Sequence, residues 1–325
     1  MTTTESIRIQ RAAAPSRIMR VSDKRFLAEG VVNLRLEDVT GSDLPPWSPG
    51  AHIDIELEPG LVRQYSLCGA QQDRSGWTIA VLLDAGGRGG SRYVHEHLDE
   101  GQQLTVTGPR NNFELQPAQS YVFVAGGIGI TPLLPMIEQA ETERANWTLV
   151  YCGRSRTSMA FLDIAEKYPD KVHIHVDDES GIFDFPDFLG SPRDSTLVYA
   201  CGPNGLLGVV EGCCADWPSE SFHCERFSPV QFDGVVDSEF IVSLDRSGRD
   251  VVVRQSQSII DALDEAGIRT LSSCGEGTCG TCETGIISGR ADHRDSILDA
   301  SERESNTTMM ICVSRASGDR IVLDL

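Results

Sequence analysis

The sequence predicts a multidomain chain of mixed α+β and α/β class: an antiparallel β-barrel, a doubly wound domain on a parallel sheet, and a small cysteine-centred domain. Three observations carry that expectation. Residues up to about 115 hold short strands of alternating polarity, divided by proline- and glycine-rich turns. From about 116 onward, continuous apolar strands alternate with helices. Near the carboxy end, four cysteines follow the spacing C-x4-C-x2-C, then 29 residues, then C. A chain of 325 residues is too long for one compact core. The expected boundaries are 1–115, 116–228, a linker at 229–238, and 239–325.

In the first segment, Val31 to Glu37 and His52 to Glu58 alternate apolar and polar residues, as strands with one buried face do. Further strands are expected over Val62 to Leu67, Trp77 to Leu83 and Gln102 to Thr107, with a short helix from Ser91 to Leu98 capped by Ser91. Two stretches stand out. Arg63-Gln64-Tyr65-Ser66-Leu67-Cys68 places a cation, a ring and a hydroxyl close together. It reads either as a cradle for a planar, phosphate-bearing ligand or as an ordinary amphipathic strand. Gly86-Gly87-Arg88-Gly89-Gly90-Ser91 offers free N–H groups, an Arg and a Ser at a helix start, a phosphate-binding combination.

In the second segment, Tyr121 to Ala125 is an unbroken apolar strand. Gly126-Gly127-Ile128-Gly129 follows, then a helix to Arg144, with Thr131 expected as N-cap and Pro132 at the first helical position. Strands are expected at Trp147 to Cys152, Val172 to Val176, Thr196 to Ala200 and Phe222 to Phe227. The turn Cys201-Gly202-Pro203-Asn204 leads into a helix through Trp217. Two such turns at equivalent strand ends suit a dinucleotide. Asp177 and Asp178 can bond ribose hydroxyls or repel a 2′-phosphate, whereas Arg154 and Arg156 can welcome one.

In the third segment, strands at Phe240 to Leu244 and Asp250 to Arg254 precede a helix from Ser258 to Ala266, stopped by Gly267. Cys274, Cys279, Cys282 and Cys312 then carry the plant-type [2Fe–2S] spacing. Gly275, Gly277 and Gly280 allow the loop to wrap and aim N–H groups at sulfur. A zinc site more often pairs two short C-x(2–4)-C knuckles. The chain ends in a strand at Arg320 to Leu325.

Composition narrows the function classes. A net charge of −20 argues against nucleic acid, which needs a basic face. The chain shows neither an apolar run of about 18 residues nor a signal peptide, so no membrane partner and a cytoplasmic location are expected. The other six cysteines read as buried free thiols in a reducing compartment.

Together these blocks resemble the phthalate dioxygenase reductase family, the reductase components of Rieske-type oxygenases. The resemblance rests on Arg63 to Cys68, Gly87 to Ser91, Gly126 to Pro132, Tyr199 to Pro203, Ser273 to Cys282, Gly289 to Asp295 and Cys312 to Ala316. It implies the order FMN barrel, NAD domain, β-grasp ferredoxin domain. It also implies roles. Arg63, Tyr65 and Ser66, with Leu67 in the same motif, would hold the flavin ring and ribityl chain, and Arg88, Gly89, Gly90 and Ser91 its phosphate. Gly126, Gly127, Gly129 and Thr131 would meet the pyridine nucleotide, with Cys201 and Gly202 near the nicotinamide and Pro203 in the same turn; Asp177 is the candidate ribose contact from its place after the strand. Glu225 and Phe227 would close the site, although Arg226 stands between them in a short local match.

The family implies hydride transfer from NADH to FMN, then single electrons through the [2Fe–2S] cluster to a terminal oxygenase, in a monomer. No side chain is nominated as general acid or base; His293, beside Asp292 and Asp295, reads as a structural polar contact. The rival readings are an FAD- and NADPH-dependent reductase and a non-enzymatic electron carrier or redox sensor.

Overall fold

A computed structural model describes residues 15–218, 220–229 and 237–325. Most of the expected linker, 230–236, lies outside the described residues. The chain divides into two compact units, Ala14–Phe227 and one that holds Ser228–Leu325.

The first unit opens with β1 (Ser16–Ala28), β2 (Val31–Asp38), β3 (Ala51–Glu58), β4 (Leu61–Ser66), β5 (Trp77–Leu82), α1 (Gly90–Glu96) and β6 (Gln103–Asn111). All six strands form one antiparallel sheet in the order β4-β3-β6-β1-β2-β5. Just beyond β4, the Cys68 N–H donates to the Thr78 carbonyl of β5 (2.9 Å), which draws the two edges together. Alternation turns Val32, Leu34 and Leu36 inward with Ile53, Ile55, Trp77 and Val106, giving the barrel its core. The α1 helix adds Val94 to that core. Lys24 closes its end, its Nζ donating to the carbonyls of His95 (3.0 Å) in the last turn and Leu98 (2.6 Å) just beyond it. Ser91 is not the N-cap. That position belongs to Gly89, at φ 86°, while the Ser91 hydroxyl accepts the Asp84 N–H (3.0 Å).

The same unit continues with β7 (Ser120–Gly126), α2 (Ile130–Thr142), β8 (Asn146–Gly153), α3 (Asp163–Lys167), β9 (Val172–Val176), α4 (Asp177–Ser180), α5 (Phe185–Leu189), β10 (Thr196–Cys201), α6 (Asn204–Cys213) and β11 (Phe222–Glu225). The five strands are parallel, in the order β11-β10-β7-β8-β9. Helix α2 packs on one face, around Phe123, Leu149 and Tyr151. Helices α5 and α6 pack on the other, around Val124, Val150 and Val198. This is the doubly wound arrangement, and its strand order reverses between β7 and β10, where such sheets bind ligands.

Thr131 is not the cap of α2. The helix starts at Ile130, two residues earlier than expected, behind a 3-10 turn at Gly127–Gly129, and Thr131, 2% exposed, donates its hydroxyl to the Ile128 carbonyl (2.9 Å). Helix α6 stops at Cys213, short of Trp217. The chain turns there so that Cys214 and Trp217 can enter the core beside Phe185 and Leu189.

The second unit comprises β12 (Phe240–Leu244), β13 (Arg249–Val253), α7 (Ile259–Glu265), β14 (Glu283–Ser288), β15 (Ala291–Asp292), α8 (Ala300–Ser305), β16 (Thr308–Met310), β17 (Arg315–Ala316) and β18 (Arg320–Leu323). Five strands make a mixed sheet in the order β13-β12-β18-β14-β16, with β12 and β18 parallel. Its core joins Phe240, Val242 and Leu263 to Ile321 and Leu323. Ser258 and Asp261 form a capping box at the start of α7, and Gly267, at φ 75°, follows its end. Arg315, 5% exposed, donates to the carbonyls of Gln257 (2.7 Å), Ser238 (3.0 Å) and Arg254 (3.0 Å) and lies over the Phe240 ring. Among the described residues, no helix is long and apolar enough to cross a membrane.

The crossing of β7 and β10 is tight enough to test. A methyl group on Gly129 would run into the Cys201 carbonyl, a backbone atom inside the sheet. Gly129→Ala is expected to lose about 1–3 kcal/mol of stability, as overpacking does. Gly208→Ala, within α6 with nothing inside 4 Å, is expected to gain about 0.4–1 kcal/mol. Thermal denaturation of the two full-length variants should therefore move in opposite directions.

Candidate redox site

The four cysteines converge. The Cys274 sulfur is within hydrogen-bond reach of the thiols of Cys279 and Cys312, and Cys312 within reach of Cys282. Two structural elements bring this about. Gly275, Gly277 and Gly280 sit at φ 69°, 71° and 72°, a left-handed backbone that side chains with a Cβ resist. The fourth cysteine is delivered by the sheet. Glu283 pairs with Met310 across β14 and β16, so Cys282 and Cys312 flank one ladder.

The loop also supplies donors. The N–H groups of Glu276 (3.3 Å) and Thr278 (3.4 Å) point at the Cys274 sulfur, and the Cys274 N–H points at Cys279 (3.5 Å). The Cys279 thiol first, then that of Cys312, hold Cys274 well below the usual thiol range. Four sulfurs drawn together in this way, Cys279 to Cys274 to Cys312 to Cys282, fit a two-iron centre held by four thiolates. Among the described residues no three His, Cys, Asp or Glu side chains are placed to hold a single metal ion.

In the first unit, Arg63, Tyr65 and Ser66 lie on β4. Arg63 donates to the Arg88 carbonyl (2.7 Å), which joins the strand to the glycine-rich loop. Gly90 has no room for a Cβ because the Arg63 stem occupies it. The Arg88 side chain is exposed and Gly89 provides the left-handed bend. Leu67 lies wholly in the barrel core and gives its N–H to the Ala51 carbonyl (2.8 Å), so it brings no side chain to a ligand.

Ser66 faces across to the end of the parallel sheet, where its hydroxyl donates to Glu225 Oε2 (3.2 Å). Burial raises the Glu225 carboxyl to about 8, against the lowering effect of that hydrogen bond. Phe227, two residues on, is 42% exposed.

The two turns between β7 and β10 press backbone on backbone. A Cβ on Gly202 would stand 2.9 Å from the Gly126 Cα, and one on Gly126 would meet Pro203 at 2.7 Å. Gly127, at φ 54°, has open space around it. Cys201 is fully buried beside them, and burial raises its thiol well above the ordinary value. Pro203 is exposed. Asp177 opens the short α4 after β9. Arg156 is engaged by Glu179 of that helix, donating at 2.9 and 3.2 Å.

Two contributors carried no sequence signal of their own. Asp84 accepts the Gly86 N–H (3.0 Å) and shapes the glycine loop. Glu29 ties the barrel to the turn after β8, its N–H donating to the Thr157 carbonyl (2.9 Å) and its carboxylate accepting the Thr157 hydroxyl (3.1 Å). Neither residue belongs to a recognisable spacing.

The raised Glu225 carboxyl has a measurable consequence. Between about pH 4.5 and 8 the folded chain keeps this proton while the unfolded chain has lost it. Its charge therefore withdraws stability as pH rises through that window and nothing further above it. Glu225→Gln should match wild type in thermal stability near pH 4.5, gain on it progressively toward pH 8, and hold a constant lead beyond.

Comparison with known proteins agrees with this geometry. Residues 242–317 match the family model of the 2Fe-2S iron-sulfur cluster binding domain. Phthalate dioxygenase reductase of Burkholderia cepacia is 37% identical over 313 residues, covering 94% of this chain and 97% of that protein. A solved phthalate dioxygenase reductase, described as a modular structure for electron transfer from pyridine nucleotides to [2Fe–2S], superposes with a TM-score of 0.70 at 37% identity. It covers 95% of this chain and 98% of its own. An intact type IV self-sufficient cytochrome P450 monooxygenase superposes with a TM-score of 0.89 at 41% identity over 98% of this chain, which spans 43% of that longer one. By sequence, fold and the arrangement of its cysteines, the chain belongs to the phthalate dioxygenase reductase family, electron-transfer oxidoreductases with a [2Fe–2S] domain.

Proposed function

We propose that this chain is the NADH-dependent reductase component of a multicomponent Rieske-type oxygenase, working with FMN and a [2Fe–2S] cluster as a cytoplasmic monomer. The observation that carries the reading is the convergence of Cys274, Cys279, Cys282 and Cys312 under three backbone N–H donors. When bound, the flavin converts a two-electron hydride donor into a one-electron source, and the cluster passes single electrons onward. The three functional segments are 1–115, 116–228 and 239–325.

The protein's own part is placement. Arg63, Tyr65 and Ser66 hold the flavin ring system, while Arg88, Gly89, Gly90 and Ser91 take its phosphate. FMN fits this reading because the glycine loop offers an exposed Arg88 guanidinium to a terminal phosphate. Gly126, Gly127, Gly129 and Thr131, with Cys201, Gly202 and Pro203, line the switch point at which the nicotinamide and pyrophosphate lie. Gly127, with open space around it, lets a planar ring approach the backbone closely. Ser66 and Glu225 hold a proton between them at the Oγ and Oε2 atoms, and Phe227 covers the ring. The four cysteines bind iron, and the N–H groups of Cys274, Glu276 and Thr278 oppose the negative charge on sulfur.

NADH is favoured over NADPH by the strand ends. Asp177, Asp178 and Glu179 form the first turn after β9, and Arg156, one of the two cations that could meet a 2′-phosphate there, is engaged by Glu179. A second acceptor class also has an observation behind it. One longer chain matched at 41% identity is described as an intact, self-sufficient cytochrome P450 monooxygenase, of which this chain spans 43%. A haem monooxygenase is therefore the alternative electron acceptor to a Rieske oxygenase.

The purified protein should show flavin and iron–sulfur absorption bands together, and the flavin released by heating should co-elute with FMN. Cytochrome c reduction should run at least tenfold faster with NADH than with NADPH at equal concentration. Cys279→Ser should keep NADH-driven bleaching of the flavin and lose most cytochrome c reduction. A variant that reduces cytochrome c at the wild-type rate would count against electron exit through the cluster.

A further inference from the structure

The segment from His293 to Leu298 lies behind the cysteine loop. Asp295 in it is fully buried. Its Oδ1 accepts the N–H groups of Ile297 (3.0 Å) and Leu298 (2.8 Å). Its Oδ2 has no hydrogen-bond partner among the described residues; the Nδ1 of His293 stands 3.9 Å away. The next residue reaches the loop directly, the Ser296 N–H donating to the Gly277 carbonyl (2.9 Å). The fit is close. A Cβ on Gly277 would stand 3.0 Å from the Asp295 Cα and 2.6 Å from Val313 Cγ2.

A buried carboxylate is costly unless something opposes its charge. The cations around Asp295 are directed elsewhere. Arg303 gives its guanidinium to the carbonyls of Asp295 (2.6 Å) and Leu298 (2.9 Å). Arg294 is paired with Asp237 (2.7 Å) and Asp292 (2.6 Å). His293, with a side chain 8% exposed, is shifted by burial toward its neutral form, with Asp295 and Asp292 acting against that and Arg303 and Arg290 for it. No cation binds the carboxylate oxygens themselves, so its negative charge, offset in part by the nearby Arg303, lies behind a loop whose metal centre gains a further negative charge on reduction. In a low-dielectric surrounding such a pair repels strongly.

We propose that Asp295 is a positioning residue of the iron–sulfur site, which braces the Gly277 peptide and whose charge sets the reduction potential of the cluster low. The inference rests on the [2Fe–2S] reading. Cluster potentials respond to net charge and to the groups behind the ligands. The carboxylate performs two separable tasks: Oδ1 organises the turn that holds Gly277, and the charge acts on the metal centre.

The test uses the full-length holoprotein. Iron content of the wild type comes first, since a protein without iron would end the cluster reading and this proposal with it. Asp295→Asn keeps the Oδ1 acceptor and the volume while removing the charge. It should retain wild-type iron content and show a more positive midpoint potential in a dye-coupled titration followed by electron paramagnetic resonance. Asp295→Ala, which loses the acceptor as well, should fall below wild type in iron per chain. An iron-replete Asp295→Asn with an unchanged or more negative potential would overturn the electrostatic role, and a fully loaded Asp295→Ala would overturn the bracing role. Should Asp295→Asn fail to hold iron, Arg303→Gln decides. Removing that cation should move the potential in the negative direction, and an unchanged or positive value would overturn the proposal.

Discussion

Four sulfur atoms must meet in a volume that leaves little space for anything else, and the second compact unit is arranged around that requirement. A loop of nine residues, 274–282, supplies three of them, and it can curl tightly enough only where glycine adopts a left-handed backbone. The fourth comes from a ladder between two strands, which fixes Cys312 relative to Cys282 by register. The remaining structure restrains these two pieces. Val313 and Asp295 close on Gly277, and Arg315 draws together three carbonyls from two separate stretches of backbone. A guanidinium suits that task because its several N–H groups diverge in a rigid plane.

The first unit meets a related constraint by a different route. Where β7 and β10 diverge in their connections, two turns lie so close that backbone touches backbone, and only glycine fits at Gly126, Gly129 and Gly202. Packing thus excludes side chains at these three positions, which lie at the topological switch point where such sheets bind ligands. On the barrel side the approach is polar. Ser66 reaches Glu225, so one hydrogen bond spans from the antiparallel sheet to the last strand of the parallel one.

Much of this was legible from sequence. The metal ligands and their glycines were, because four sulfurs in fixed positions demand a spacing that few other functions share. The parallel sheet was also legible, since strands such as Tyr121 to Ala125 are buried on both faces and carry no alternation. Helix starts were less so. Thr131 and Ser91 have the side chains of caps, yet each hydroxyl found a nearer backbone partner, and glycines took the turns instead. Leu67 belongs to a ligand-like motif but points into the barrel, a distinction set by strand register rather than by residue type. Asp295, Asp84 and Glu29 could not be weighted in advance. Asp295 and Asp84 bond backbone N–H groups two or three residues on, as many acidic residues at turns do, and what those turns pack against, like the Thr157 partner of Glu29, is defined by the fold.

The place of β18 in its sheet has an outcome for biosynthesis. This strand, Arg320–Leu323, is the middle one of five, hydrogen-bonded to β12 on one side and β14 on the other. As the polypeptide leaves the ribosome, the three-cysteine loop emerges some forty residues before that strand. The sheet that holds Cys282 and Cys312 in register has no centre until then. The thiols of this loop are therefore synthesised before the strand that centres their sheet, and the register of Cys282 with Cys312 is complete only once β18 has docked.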